Sequence, residues 1–181
     1  MQLTTNFTLE EFTKTELTEY QVQLVKLLAS NLQIVRDNLQ PFSKKGKQVS
    51  ITITSGVRTQ ADYNRLLKQG YNPSKKSDHF CGVQTDGNPT LGAADIVVNN
   101  CSLSMKECAR RIIEMTNEGT VNFGQVIYEY NPSTKKSWIH LGNDWKCIFK
   151  NNDYFSPIEY FFKREKYLMS MDNGKTYKKF K

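Results

Sequence analysis

The chain reads as an α+β protein: N-terminal helices packed on a small, mainly antiparallel sheet, followed by a C-terminal helix and a β-hairpin. Three observations predict this. Apolar residues recur every three or four positions between 18 and 40; later segments alternate apolar and polar residues and are rich in β-branched side chains; and Asp172-Asn173-Gly174 lies between two alternating arms near the end. Helical patterns come first and strand patterns follow, the order expected of helices gathered on a sheet.

Each element has a local reason. Thr8 and Glu11 in NFTLEEF have capping-box spacing, so a short helix starts there. Over residues 18–40, Leu24, Leu28, Leu32, Val35 and Leu39 form one apolar stripe, and Pro41 ends the pattern. VSITITSGV alternates as a strand ending near Ser55-Gly56, and residues 59–69 form a second helix closed by Gly70. Residues 71–90, rich in Asn, Pro, Ser, Asp and Gly, read as a long loop, and long loops in compact domains are usually functional or disordered. Then follow a strand at 93–98, a helix at 104–117, the strands VNFGQVIYEY and KSWIHLG, a helix at 153–166 and the terminal hairpin. Its segment from Ser170 to Tyr177 resembles the Asp-box hairpin of repeat proteins such as sialidases.

At 181 residues the chain is long enough for one domain with its own core and a short appendage. The boundary falls at 150, leaving 151–181 as a C-terminal extension. No apolar run approaches the roughly 18 residues of a membrane helix. MQLTTNFTLEEF also lacks the basic-then-apolar plan of a signal peptide. The expectation is a protein made in the cytoplasm, reaching any substrate outside the membrane through lysis, a virion or non-signal export. Cys81, Cys101, Cys108 and Cys147 show no C-x-x-C spacing, which argues against a zinc ribbon or a thioredoxin-type motif and for free buried thiols. The net charge of +7 favours anionic partners. Its lysines are scattered rather than set in a stripe between stacking aromatics, which disfavours nucleic acid.

Two histidines are present, and each sits in a segment that looks built around it. Alone, either reads as a structural or surface residue. The settings change that reading: SDHFCG holds His79 in the loop, GAADI places Asp95 at the head of an apolar strand after small residues, and WIHL puts His140 on a strand. A catalytic zinc needs about three protein ligands from imidazoles and carboxylates, with one position left for water. Two histidines and an aspartate meet that count.

The ordered set NFTLEEF, SGVRT, SDHFCG, GAAD and WIH resembles the zinc D-alanyl-D-alanine carboxypeptidase family, which includes phage endolysins and other phage-encoded relatives; the match runs from about Asn6 to Gly142. The resemblance implies a zinc peptidase-like domain over residues 1–150. It implies that His79, Asp95 and His140 hold Zn²⁺ and that Arg58 contacts substrate and helps polarise the scissile carbonyl. It implies hydrolysis of bonds beside D-amino acids in peptidoglycan stem peptides, by an endolysin or a virion-associated enzyme that has other virion proteins as neighbours.

Three features depart from the family pattern. His79 and Asp95 are sixteen residues apart, so the segment CGVQTDGNPTL must bulge out as a loop. Ser137 stands where the family has its acid, three positions before the last histidine, and a hydroxyl cannot take a proton from an activated water at neutral pH. Glu129, at the end of QVIYE, is the best replacement as general base, with Asp78 and Asp86 the other acids available. Val57 replaces a usual aromatic. These departures keep a second reading open: a non-catalytic virion or structural protein that retains the fold, with or without zinc.

Overall fold

The computed structural model describes residues 1–71, 73–82, 84–85, 88–144 and 166–181. Residues 153–165 of the helix expected at 153–166, Asp86 and Cys147 lie outside them.

The N-terminal half is helical: α1 (Leu9–Phe12), α2 (Glu19–Leu39) and α3 (Gln60–Lys68), with β1 (Ser50–Ser55) between the last two. Their starts are chemically marked. The Glu11 carboxylate accepts the Thr8 N–H at 2.7 Å, Thr18 and Gln21 cap α2 reciprocally, and Thr59 and Asp62 do the same for α3. The stripe Leu24, Leu28, Leu32, Val35 and Leu39 is buried as its spacing predicts. After α2 a single 3₁₀ turn, Gln40–Phe42, carries Pro41 in its first turn, where the missing N–H costs nothing.

The loop at 71–90 is more structured than its composition suggests. It contains a 3₁₀ turn, Asp78–Phe80, and two paired two-residue strands, β2 (Gln84–Thr85) and β3 (Asn88–Pro89). Elements of two or three residues are too short to leave a periodic signature. Beyond it come β4 (Ala93–Asn99), α4 (Met105–Asn117, capped by Ser104 and Glu107), β5 (Phe123–Asn131), β6 (Lys136–Asn143), β7 (Tyr167–Ser170) and β8 (Lys178–Lys179).

One six-stranded sheet organises the molecule, in the order β1-β4-β6-β5-β7-β8. Every pairing is antiparallel except β5 with β7, which is parallel. The C-terminal hairpin therefore extends the same sheet rather than standing apart. Among the described residues no helix is long and apolar enough to cross a membrane.

The sheet has two chemically different faces, as the period of two requires. Ala94, Ile96, Val98, Val126, Tyr128, Ile139 and Leu141 point to one side, into a core shared with Leu28, Leu32 and Val35 of α2 and Ile112 and Met115 of α4. The intervening residues Asp95, Val97, Gln125, Ile127, Glu129 and His140 line an open groove on the other side. A one-residue slip of β4 or β6 would exchange the two sets. The helical core thereby fixes which side chains face the groove.

Candidate metal centre

One rung of the sheet carries the chemistry. Ser55 pairs with Asp95, Asp95 with His140, His140 with Ile127 and Ile127 with Leu168, so five strands align at one level. Asp95 and His140 thus project side by side on the groove face. A register irregularity between Ile53 and Ser55 re-aims the end of β1 towards the same level.

His79 arrives from the 3₁₀ turn. The Ser77 hydroxyl accepts the His79 N–H at 3.4 Å, and the chain then reverses through Cys81 (φ 45°) and Gly82 (φ 80°). Four further bonds hold the turn. Gly82 N–H donates to the Thr90 carbonyl at 2.8 Å, Gln21 Nε2 to the Cys81 carbonyl at 2.9 Å, Leu91 N–H to Asp78 Oδ1 at 3.2 Å, and Arg58 N–H to the His79 carbonyl at 2.8 Å. The Gly82–Thr90 bond closes the neck of the excursion that separates His79 from Asp95. The long spacing in sequence therefore leaves the spatial arrangement intact.

The three donor atoms converge. His79 Nε2 lies 3.2 Å from Asp95 Oδ1 and 3.2 Å from His140 Nδ1, and His140 Nδ1 lies 2.9 Å from Asp95 Oδ1. Ligands at the zinc distances of 2.0–2.1 Å in a tetrahedron stand about 3.3 Å from one another. All three residues are buried, His79 to 2% exposure and the other two to 9%. Among the described residues this is the one group of three or more histidine, cysteine, aspartate or glutamate side chains able to hold a metal ion.

The surroundings suit a ligand role. His79 Nδ1 is 2.7 Å from the Gly56 carbonyl oxygen. A carbonyl can only accept, so Nδ1 carries the proton and Nε2 presents its lone pair to the other donors. Asp95 divides its oxygens: Oδ1 faces the histidines, while Oδ2 accepts Arg58 Nη2 at 2.9 Å. Arg58 Nε donates in turn to Ser55 Oγ at 3.1 Å. Burial alone would raise the Asp95 carboxyl, but the positive charge and hydrogen bonds that the two imidazoles supply when protonated, His79 first, hold it well below the usual carboxylate range in the metal-free protein.

The groove above this floor measures about 900 Å³. Arg58 lines it, but its guanidinium is held on Asp95, so the fold gives it an orienting contact that the sequence did not reveal. Glu129 lines it too, two residues along β5 from the His140 rung, a step of about 7 Å. Its carboxyl is raised above the ordinary value, chiefly by burial and next by the Asp95 charge; His140, Tyr177 and Arg58 oppose the shift. The other acid, Asp78, is 4% exposed and accepts the Leu91 N–H, which makes it part of the scaffold under His79. Ser137 lines the groove wall and pairs with Tyr130.

Two contributors escaped the sequence reading. Gly56 supplies the carbonyl that orients His79, and the SG of SGVRT was the available signal. Tyr177 donates its hydroxyl to Glu129 Oε1 at 3.3 Å, and nothing local in the sequence tells which strand the C-terminal hairpin joins. Comparison of the chain with protein-family models, curated proteins and solved structures finds no match.

Proposed function

We propose that the chain is a zinc-dependent peptidase that hydrolyses bonds beside D-amino acids in bacterial peptidoglycan, as a phage endolysin or a virion-associated enzyme. The observation that supports it most is the convergence of His79 Nε2, Asp95 Oδ1 and His140 Nδ1 at near-tetrahedral spacing on the floor of an open groove, with a second carboxylate, Glu129, two residues further along β5 on the same face. Two imidazoles and a carboxylate are a donor set suited to zinc. The substrate class rests on the resemblance of the ordered motifs.

Zinc bound by these residues supplies Lewis-acid chemistry, lowering the pKa of water to about 7 and polarising a carbonyl. Glu129 takes a proton from the attacking water as its oxygen bonds the carbonyl carbon, and gives it to the amine nitrogen as the C–N bond breaks; a carboxyl raised by burial lies closer to neutral pH and serves both steps better than an ordinary one. Arg58 keeps Oδ1 of Asp95 turned to the histidines by occupying Oδ2. Ser137, at the position of the family acid, favours the second reading of a metal-holding, non-catalytic virion protein.

Metal analysis paired with digestion of purified peptidoglycan separates the readings. Wild type should hold one zinc and release fragments. Glu129→Gln should keep zinc and lose about 10²–10⁴-fold in rate, and His140→Ala should lose both. Zinc without hydrolysis supports the second reading; full zinc in His140→Ala overturns the ligand assignment.

A further inference from the structure

The C-terminal hairpin is clamped to the strand that carries Glu129. Ser170 pairs with Glu129 itself in the parallel β5–β7 ladder. On the two residues that follow Glu129, Asn173 N–H donates to the Tyr130 carbonyl at 3.0 Å, and Asn131 Nδ2 donates to Asn173 Oδ1 at 3.2 Å. Inside the turn, Asp172 Oδ1 accepts from Ser170 Oγ at 2.8 Å and from Thr176 N–H at 2.9 Å, while Gly174 N–H donates to Ser170 Oγ at 2.9 Å. The turn is held both internally and to the sheet.

That clamp places two hairpin groups against the Glu129 carboxylate. Tyr177 reaches Oε1. Gly174, at φ 76°, has its Cα so near that an added Cβ would stand 3.0 Å from the Tyr177 hydroxyl and 3.7 Å from Glu129 Oε2. Only a residue without a side chain lets the turn pack this closely without disturbing the tyrosine.

From this geometry we infer that Tyr177 is a positioning residue for Glu129, and that the hairpin built around Asp172 and Gly174 is part of the groove rather than an appendage. The 3.3 Å separation is long for an O–H···O bond, as contacts to a general base often are before substrate arrives. Without Tyr177 the carboxylate loses the donor that fixes its rotamer. The catalytic consequence rests on the peptidase reading; the contact itself does not.

The test uses the full chain and two readouts. In the metal-free protein, a double-mutant cycle of Tyr177→Phe and Glu129→Ala followed by urea unfolding should show a coupling of about threefold or more in the unfolding constant. In the zinc-loaded protein, Tyr177→Phe should lower kcat about tenfold with KM and zinc content unchanged, and should have no further effect on a Glu129→Gln background. Gly174→Ala, which displaces the hydroxyl while keeping it, should reproduce the loss of kcat. Additive stabilities in the cycle overturn the positioning role. Coupling in a protein that hydrolyses no peptidoglycan keeps the role and removes the peptidase reading instead.

Discussion

His79 Nδ1 lies 2.7 Å from the carbonyl oxygen of Gly56, and this contact sets which imidazole nitrogen faces Asp95 and His140. Gly56 is confined on its other side: a Cβ there would lie 2.2 Å from the Phe12 carbonyl oxygen and 2.7 Å from its Cα, both backbone atoms. The same carbonyl accepts the Val57 N–H at 2.8 Å, so neither side yields freely. Gly56→Ala should therefore cost about 1–3 kcal/mol in urea unfolding, as overpacking does. It should also weaken metal binding about 10–100-fold in a chelator competition, the effect of losing an outer-shell partner. Unchanged affinity would show that the carbonyl does not orient the ligand.

Zinc should stabilise the fold by an amount that grows with the logarithm of its free concentration above Kd. The donors come from a 3₁₀ turn and two strands and meet only when the sheet has formed, so the unfolded chain offers no comparable site. Free zinc at 100 times its Kd should add about 2.7 kcal/mol to unfolding, and a chelator should remove it. Asp95→Asn should not respond. A midpoint indifferent to zinc in the wild type would refute metal binding by this group.

The legible parts of this molecule are those encoded locally. The stripe from Leu24 to Leu39 and the cap at Thr8 follow from spacings of three and four residues. The segments AADIVV and KSWIHLG read as strands, and the period of two along them sets Asp95 and His140 on the face away from Ile96 and Ile139. With two histidines in the chain, few metal-binding trios could be drawn. What stayed hidden depends on pairing between distant segments: the parallel β5–β7 ladder, the bond from Gly82 to Thr90 that closes the neck, and the seating of Arg58 on Asp95. Register between such segments is settled by which face the whole sheet buries, which no single motif reports.

Glu129 should make the metal-free chain less stable as pH rises. Burial, followed by the charge of Asp95, raises its carboxyl above the ordinary value of 4.5, so the folded state holds this proton more tightly than the unfolded one. Its contribution is fully present below the unfolded value and is lost as pH climbs through the folded value, because there the folded protein binds more protons. Glu129→Gln keeps the shape and removes the titration. In chelator it should be more stable than wild type at neutral pH and lose that advantage near pH 4, as read from urea midpoints. Equal midpoints at pH 7 would mean that the carboxylate is fully solvated.

Asp172 titrates in the opposite sense and gives the hairpin its own acid sensitivity. Hydrogen bonds from the Thr176 hydroxyl and backbone N–H, then from the Ser170 hydroxyl, draw its carboxyl down to about 2. A depressed carboxyl stabilises the fold above its unfolded value and ceases to do so as pH falls through the folded one. Between about pH 4 and pH 2, amide protection at Gly174 and Thr176, both of which donate within this turn, should therefore fall before that of β4 and β6. Asp172→Asn, which cannot accept from both the Thr176 amide and hydroxyl with full charge, should show the lowered protection already at neutral pH while zinc binding stays intact. His79, Asp95 and His140 sit on the Asp78–Phe80 turn, β4 and β6, none of which the hairpin bonds hold in place, so the two losses should separate cleanly. Simultaneous loss of zinc and hairpin protection in Asp172→Asn would show instead that the hairpin supports the whole sheet.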